Sequence, residues 1–304
     1  MSHSHSHHHH ETNNYNRSFG IGIALNIIFV IIEVGYGLAA DSLALIADAG
    51  HNLSDVMSLI LAWGASYLAT KHPTRKRTYG LRKVTIMASL ISTVLLLVAL
   101  GGIAWESIER LSSPKPVDSL IIIIVAAIGV VINTATALLF VKGQKHDLNI
   151  RAAYLHMAAD AAISLGVVLA GIAIMVTGWL WLDPFISLFI VVVILISTWD
   201  LLRDSIDLSI DAVPQGIDTL HIQTYLYNLE NVSDIHDLHV WALSTTEIAL
   251  TVHLVTSNVS VDNDFLQEIQ EHLHHHFNIS HATIQIENDT DGYQCVLNRD
   301  ECRF

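Results

Sequence analysis

Charged side chains are scarce: 14% of the 304 residues, against about 25% in an ordinary soluble domain. With 52% hydrophobic residues and a mean hydropathy of +0.46, the chain cannot be solvated by water alone. Cysteine is scarcer still. Cys295 and Cys302 are the only two, so a disulfide framework is excluded. In a tail expected to face the cytosol they read first as reduced thiols and second as soft metal ligands. Lys and Arg nearly vanish after Ala212, where fourteen Asp and Glu face only Arg299 and Arg303. Such a tail argues against phosphate-backbone binding, and no nucleic-acid partner is expected. It also holds nine of the nineteen histidines, so it suits cations. The N-terminal MSHSHSHHHH lacks the apolar core of a secretory signal. Its Ser-His alternation fits a natural metal-attracting tract better than a truncated purification tag. No internal repeat occurs.

What is present is long apolar runs. A bilayer core needs about 20 predominantly apolar residues per helix. Six segments qualify: Phe19–Ala39, Leu43–Leu68, Val84–Ile108, Val117–Val141, Ala153–Val176 and Trp181–Leu202. Turn-forming and charged stretches separate them, among them Ser112-Ser113-Pro114-Lys115-Pro116. Lys71, Arg75, Lys76, Arg77, Arg82 and Lys83 follow the second span, and Lys142, Lys145 and Arg151 follow the fourth. The other side carries only Arg110 and Lys115, so the positive-inside rule places both termini in the cytoplasm. After Asp211 the pattern predicts a helix (Gly216–Glu230), strands Ile235–Leu243 and Ile248–Thr256, a helix (Asp262–Phe277) and a short strand, Thr283–Ile286. The expected fold is a membrane all-α domain of six transmembrane helices followed by a small α+β cytoplasmic domain with two helices on one face of a sheet. The expected division is a His-rich tail (1–16), a transport domain (17–211) and the cytoplasmic domain (212–304).

Ionisable groups at membrane depth are costly unless paired or facing a cavity, so each is a functional hypothesis. The second span contains Asp48, His51 and Asp55, and the fifth contains His156 and Asp160. Both therefore carry His-x-x-x-Asp. Four-residue spacing puts the two side chains on one helical face, about 5–6 Å apart at Cβ. Two such faces supply two imidazoles and two carboxylates, a donor set that suits tetrahedral zinc at about 2.0–2.2 Å. Magnesium or calcium would ask for more oxygens, and copper(I) for sulfur. Read blandly, each pair is an interhelical hydrogen bond serving packing. The repetition in two spans, with no Lys or Arg nearby, calls for a cation instead. Asp48 reads as a supporting or proton-carrying group or as a packing contact. Glu33 lines the ion path or packs. Asn26 and Asn133 read as interhelical hydrogen-bonding groups, and Glu106 and Glu109 as solvated. His272, His274, His275 and His276 read as a solvated helical face before weak metal capture.

These residues resemble a known family. The stretch Asp41–Asp55, the Tyr79-Gly80 loop, Ala153–Asp160 and His236-Asp237-Leu238-His239-Val240-Trp241 are similar to the cation diffusion facilitators, most of all their bacterial zinc, cadmium and cobalt efflux branch. The resemblance covers nearly the whole chain. It implies a homodimeric metal/proton antiporter in the bacterial inner membrane, with a metallochaperone-like (ferredoxin-like) cytoplasmic domain. It implies that His51, Asp55, His156 and Asp160 form the transport site. A His at the first of these goes with a zinc preference, and relatives with this pattern also carry Cd2+ or Co2+. It further implies that Lys83 and Asp211 form a charge interlock holding the dimer, Lys83 reading otherwise as part of the positive-inside bias. His236, His253 and Glu287 fall where relatives bind cytoplasmic zinc. Gln285 stands where some members have another histidine, so a complete binuclear site is not expected. The basic second-to-third loop is expected to hold no metal.

The rival class is an intramembrane zinc hydrolase. It would ordinarily carry a catalytic Glu beside its ligands, as in His-Glu-x-x-His, and no such motif occurs. Four protein ligands would also leave no open position for a water. A metal sensor with a membrane anchor leaves the paired intramembrane residues unexplained. The expected activity is Zn2+ export in exchange for protons, without enzymatic chemistry.

Overall fold

The computed structural model describes residues 13–141, 148–256 and 263–288. Residues 1–12, Lys142, Lys145 and the tail from 289 on, with Cys295 and Cys302, lie outside the described residues, as do the side chains of Asp55 and Arg151. Six long helices come first: α1 (Asn13–Ala39), α2 (Leu43–Ala69), α3 (Val84–Ser112), α4 (Ser119–Phe140), α5 (Leu148–Thr177) and α6 (Leu182–Ser209). They are followed by α7 (Thr219–Tyr227), β1 (Val232–Ala242), β2 (Ile248–Thr256), α8 (Asn263–Phe277) and β3 (Ile279–Asn288). Among the described residues, α3, α4, α5 and α6 are long and apolar enough to cross a membrane, and the apolar stretch Asn26–Ala39 of α1 is shorter. The residues form two compact units, 1–60 with 92–198 and 61–91 with 199–304.

In the first unit, local chemistry sets the helix ends. Asp118 caps α4, its carboxylate accepting from the amides of Leu120 (3.1 Å) and Ile121 (3.2 Å). The start of α2 is capped by a side chain distant in sequence. Asp183 of α6 accepts from the amides of Leu43 (2.9 Å) and Ala44 (3.3 Å) and from the Ser42 hydroxyl (2.5 Å). Just before it, Asp41 adopts φ 51°, the left-handed turn that ends α1, and Arg110 binds both its carbonyl and its carboxylate at 2.7 Å. Arg110 also donates to Glu106 (2.9 Å), and Lys115 reaches the same oxygen at 3.3 Å. Glu106 is therefore ion-paired, not merely solvated, because a cation one turn along the helix can bend back onto it.

Phe29, Leu45, Leu100, Ile122, Val167 and Ile194 build this unit's core. Two glycines let the helices close on it. A Cβ on Gly129 would lie 2.6 Å from the Phe29 ring and 3.0 Å from Ser164 Oγ; one on Gly171 would lie 2.9 Å from Ile123. Many large apolar side chains face outward, among them Val98, Trp105, Val176 and Ile196. That surface would be a liability in water and is what hydrocarbon solvates.

In the second unit, β1 pairs antiparallel with β2, and β2 parallel with β3, in the order β1-β2-β3. A parallel pair needs a crossover connection, and α8 lies between β2 and β3 in the chain. The central strand alternates strictly from Leu250 on, with Leu250, Val252 and Leu254 fully buried. They pack with Ile222 and Leu226 of α7 and Ile269 and Leu273 of α8, so both helices cover one face. β3 is longer than the predicted Thr283–Ile286. Its ends carry His281 and Glu287, whose polarity hides a strand from a hydropathy reading; pairing with β2 supplies the order instead. The same unit ties the foot of α3 to the sheet: Arg82 meets Glu247 at 3.1 Å, and the Thr245 amide donates to Thr85 Oγ1 at 3.1 Å.

Candidate metal centres

α2 and α5 bring the first centre together. His51 sits one turn below Asp48, in a stretch of Ala and Gly that keeps neighbouring side chains small. His156 and Asp160 occupy one face of α5. Asp160 is 1% exposed; its Oδ1 lies 3.3 Å from His51 Nε2 and its Oδ2 3.7 Å from His156 Nε2. The two rings meet edge to face, 5.8 Å apart. One ligand atom from each of these three residues lies within 4.8 Å of the others. The fourth expected ligand, Asp55, has its side chain outside the described residues.

Polar groups continue inward from this centre. Ser164, one turn beyond Asp160, donates to Asp48 Oδ2 at 3.0 Å, tying α5 to α2. Asn52 donates to Glu33 Oε2 at 3.2 Å, tying α2 to α1. Glu33 and Asp48 are both fully buried and lie within hydrogen-bonding reach of each other. Asp48 thus has the interhelical contact that a packing role requires, and Glu33 belongs to the same buried group. Asn26 donates to Met157 Sδ at 3.7 Å. Asn133 departs from the expectation for it: both its side-chain polar atoms are buried without a hydrogen-bond partner among the described residues. α2 and α4 contain no Lys or Arg to offset the carboxyl groups.

Strand register builds the second centre. His236 of β1 lies opposite His253 of β2, and parallel pairing brings β3 alongside, with Gln285 opposite His253 and Glu287 opposite Val255. Glu287, 8% exposed, meets His253 Nδ1 at 2.7 Å and His236 Nε2 at 3.3 Å. These three also fit within 4.8 Å. Gln285 is not a spare position: its amide donates to Glu287 Oε1 at 3.0 Å and holds the carboxylate.

One residue here escaped the sequence reading. β1 slips register between His236 and His239, a bulge in which Asp237 takes φ 54°. The bulge turns the Asp237 carboxylate toward His253 Nε2 (3.5 Å) and lets its other oxygen accept from His239 Nε2 (2.9 Å). His253 therefore lies between two carboxylates, the arrangement that orients a ligating imidazole. Neither periodicity nor ligand spacing signals a bulge.

Outside both centres, Lys83 donates to Asp211 at 2.5 Å within one chain, both residues about half exposed. Asp211 takes φ 63° at the end of α6, and this aims its carboxylate.

Residues 20–208 match the family model described as the cation efflux transmembrane domain, and residues 214–289 match the cation efflux protein, cytoplasmic domain. The chain is 35% identical over 274 residues to the cadmium, cobalt and zinc/H(+)-K(+) antiporter of Bacillus subtilis, covering 88% of each chain. It is 36% identical over 260 residues to the metal cation efflux system protein CzcD of Cupriavidus metallidurans, covering 85% of this chain and 82% of that one. It is 33% identical over 273 residues to the zinc transporter ZitB of Escherichia coli, covering 89% of this chain and 87% of that one.

Proposed function

The chain belongs to the cation efflux family, and we propose that it is a multi-pass membrane exporter of divalent transition metal, a Zn2+/H+ antiporter. The observation that carries this reading is the convergence of His51, His156 and Asp160, from two apolar helices, to within 4.8 Å around the buried Asp160 carboxylate. With Asp55 they form the transport site, a His2Asp2 donor set that suits zinc and admits cadmium or cobalt. The family is one of transporters, and a site closed by four protein ligands leaves no place for a catalytic water.

Zinc enters from the cytoplasm and displaces protons from His51, His156 and the carboxyl groups. Ligands must be deprotonated to bind metal, so metal and protons compete for one site. When the site opens outward, incoming protons compete zinc off. Rocking of helix pairs around a midplane site provides the alternating access. A gradient acid outside therefore drives export.

We assign residues 1–16 to a His-rich tail, 17–211 to the membrane domain and 212–304 to the cytoplasmic domain, with both termini cytoplasmic in a bacterial inner membrane. His236, His253 and Glu287 bind a second zinc that reports cytoplasmic metal, biasing whichever conformer holds it more tightly. The chain works as a homodimer, with Lys83 and Asp211 as a charge interlock that holds it.

The deciding experiment is zinc flux into proteoliposomes under an imposed pH gradient, comparing the native chain with Asp160→Ala. Gradient-driven flux that disappears in the variant is expected. Equal flux in both, or flux indifferent to the gradient, would overturn the reading.

A further inference from the structure

The four histidines of α8 are not equivalent. His274 Nδ1 lies 3.3 Å from the Ile279 carbonyl oxygen, at the start of β3, and its ring packs against His275 at 5.3 Å. His272 and His276 occupy a different row. Their rings are stacked 4.2 Å apart at 28°, and His272 stacks in turn on Tyr225 of α7, 3.9 Å away at 8°. Glu268 stands one turn before His272 and acts on it electrostatically. The sequence therefore runs Glu268-x-x-x-His272-x-x-x-His276 along one helical row.

We propose that Glu268, His272 and His276 form a metal site of their own on the cytoplasmic domain, taking a borderline divalent cation such as zinc. Neighbours at i and i+4 are about 5–6 Å apart at Cβ, and two Zn–N bonds of about 2.0–2.1 Å bridge such a pair. Imidazole is the ligand that zinc, cobalt and nickel share; binding turns the two stacked rings edge-on to the ion, and the Glu268 carboxylate, one turn away, swings in as the third donor. Tyr225 holds that ring in place, reducing the rotamer entropy an exposed chelate must otherwise lose. Glu268 and His276 are exposed, so water fills the remaining coordination position. The site is separate from the sheet site and does not depend on the transport reading.

Hydrogen exchange of the full-length chain in detergent, with and without zinc chloride, tests this in the peptides spanning 263–277. A cation clipping two turns together slows opening of that helix, by about a hundredfold at zinc one hundred times its dissociation constant. The protection is expected to vanish in His276→Gln, persist in His275→Gln, and persist when the sheet site is removed by His236→Ala. Protection that is absent from the native chain, that survives His276→Gln, or that disappears in His236→Ala would overturn the proposal. The last result would mean that the helix only senses metal bound on the sheet.

Discussion

Among the described residues, two imidazoles and a carboxylate gather within 4.8 Å twice, once on helices and once on strands. In the membrane unit one helix supplies two of the three donors, because a single turn brings His156 beneath Asp160. In the cytoplasmic unit each donor comes from a different strand, and residues 236, 253 and 287 meet only through the ladder. The helical centre is therefore robust to errors in long-range packing for two of its donors and needs only one helix contact to finish. The sheet centre exists only when β1, β2 and β3 are all in register. A one-residue slip would turn every side chain to the opposite face.

The widest separation between the two centres is expected from paired conservative variants. Asp160→Asn should lower zinc flux by more than about a hundredfold, beyond what loss of an outer partner costs, while Glu287→Gln leaves the flux pathway intact and weakens only cytoplasmic zinc binding. Flux assays alongside calorimetric zinc titration of both variants read this out, and comparable flux loss in both would erase the distinction. Next in size is Leu254→Ala, which hollows the fully buried face of the central strand. It should destabilise the cytoplasmic domain by about 2–5 kcal/mol. Denaturant unfolding should show that domain melting early with its zinc lost, and the helical centre still binding.

Asp237→Asn sharpens the role of the bulge. Removing the carboxylate beside His253 should weaken zinc at the sheet site by about ten- to a hundredfold, without moving the unfolding midpoint by a comparable free energy. A stability loss with unchanged affinity would make Asp237 purely architectural. The smallest effect is a pH dependence in α8. His272 has a folded-state pKa below its ordinary 6.5, chiefly from burial and then from His276. The unfolded segment therefore takes up a proton more readily. The stack's contribution is complete above about pH 6.5 and declines as the pH falls from there toward the folded value. Zinc-free hydrogen exchange of α8 should quicken in that window, and His272→Gln should flatten the response.

The membrane centre was legible because both its spacing and its setting are local. His-x-x-x-Asp is one helical turn, and an ionisable group inside an apolar run announces itself. The four spans α3 to α6 were legible for the same reason, their ends less so. α6 runs on to Ser209, past the predicted Leu202, because its last turns carry Asp204 and Asp207 and no longer read as apolar. The solvated reading of Glu106 failed because its partners, Arg110 and Lys115, are a matter of side-chain reach and not of hydropathy. The sheet centre of His236, His253 and Glu287 became visible only through a resemblance, since nothing in their spacing relates residue 236 to 253 or 287.

Composition and periodicity by themselves determined that this is a membrane protein with a polar tail, where most of its elements fall, and which charged groups sit in apolar helices. They could do so because hydrophobic solvation and helical spacing act over a few residues. Tertiary structure alone decided that Asp183 caps a helix 140 positions earlier in the chain, that Gly129 admits the Phe29 ring, and that Asp237 turns toward His253. It also decided that His272, out of four neighbouring histidines, stacks on Tyr225. Each depends on contacts between segments far apart in the chain, where packing and register, not local propensity, fix the position of a side chain.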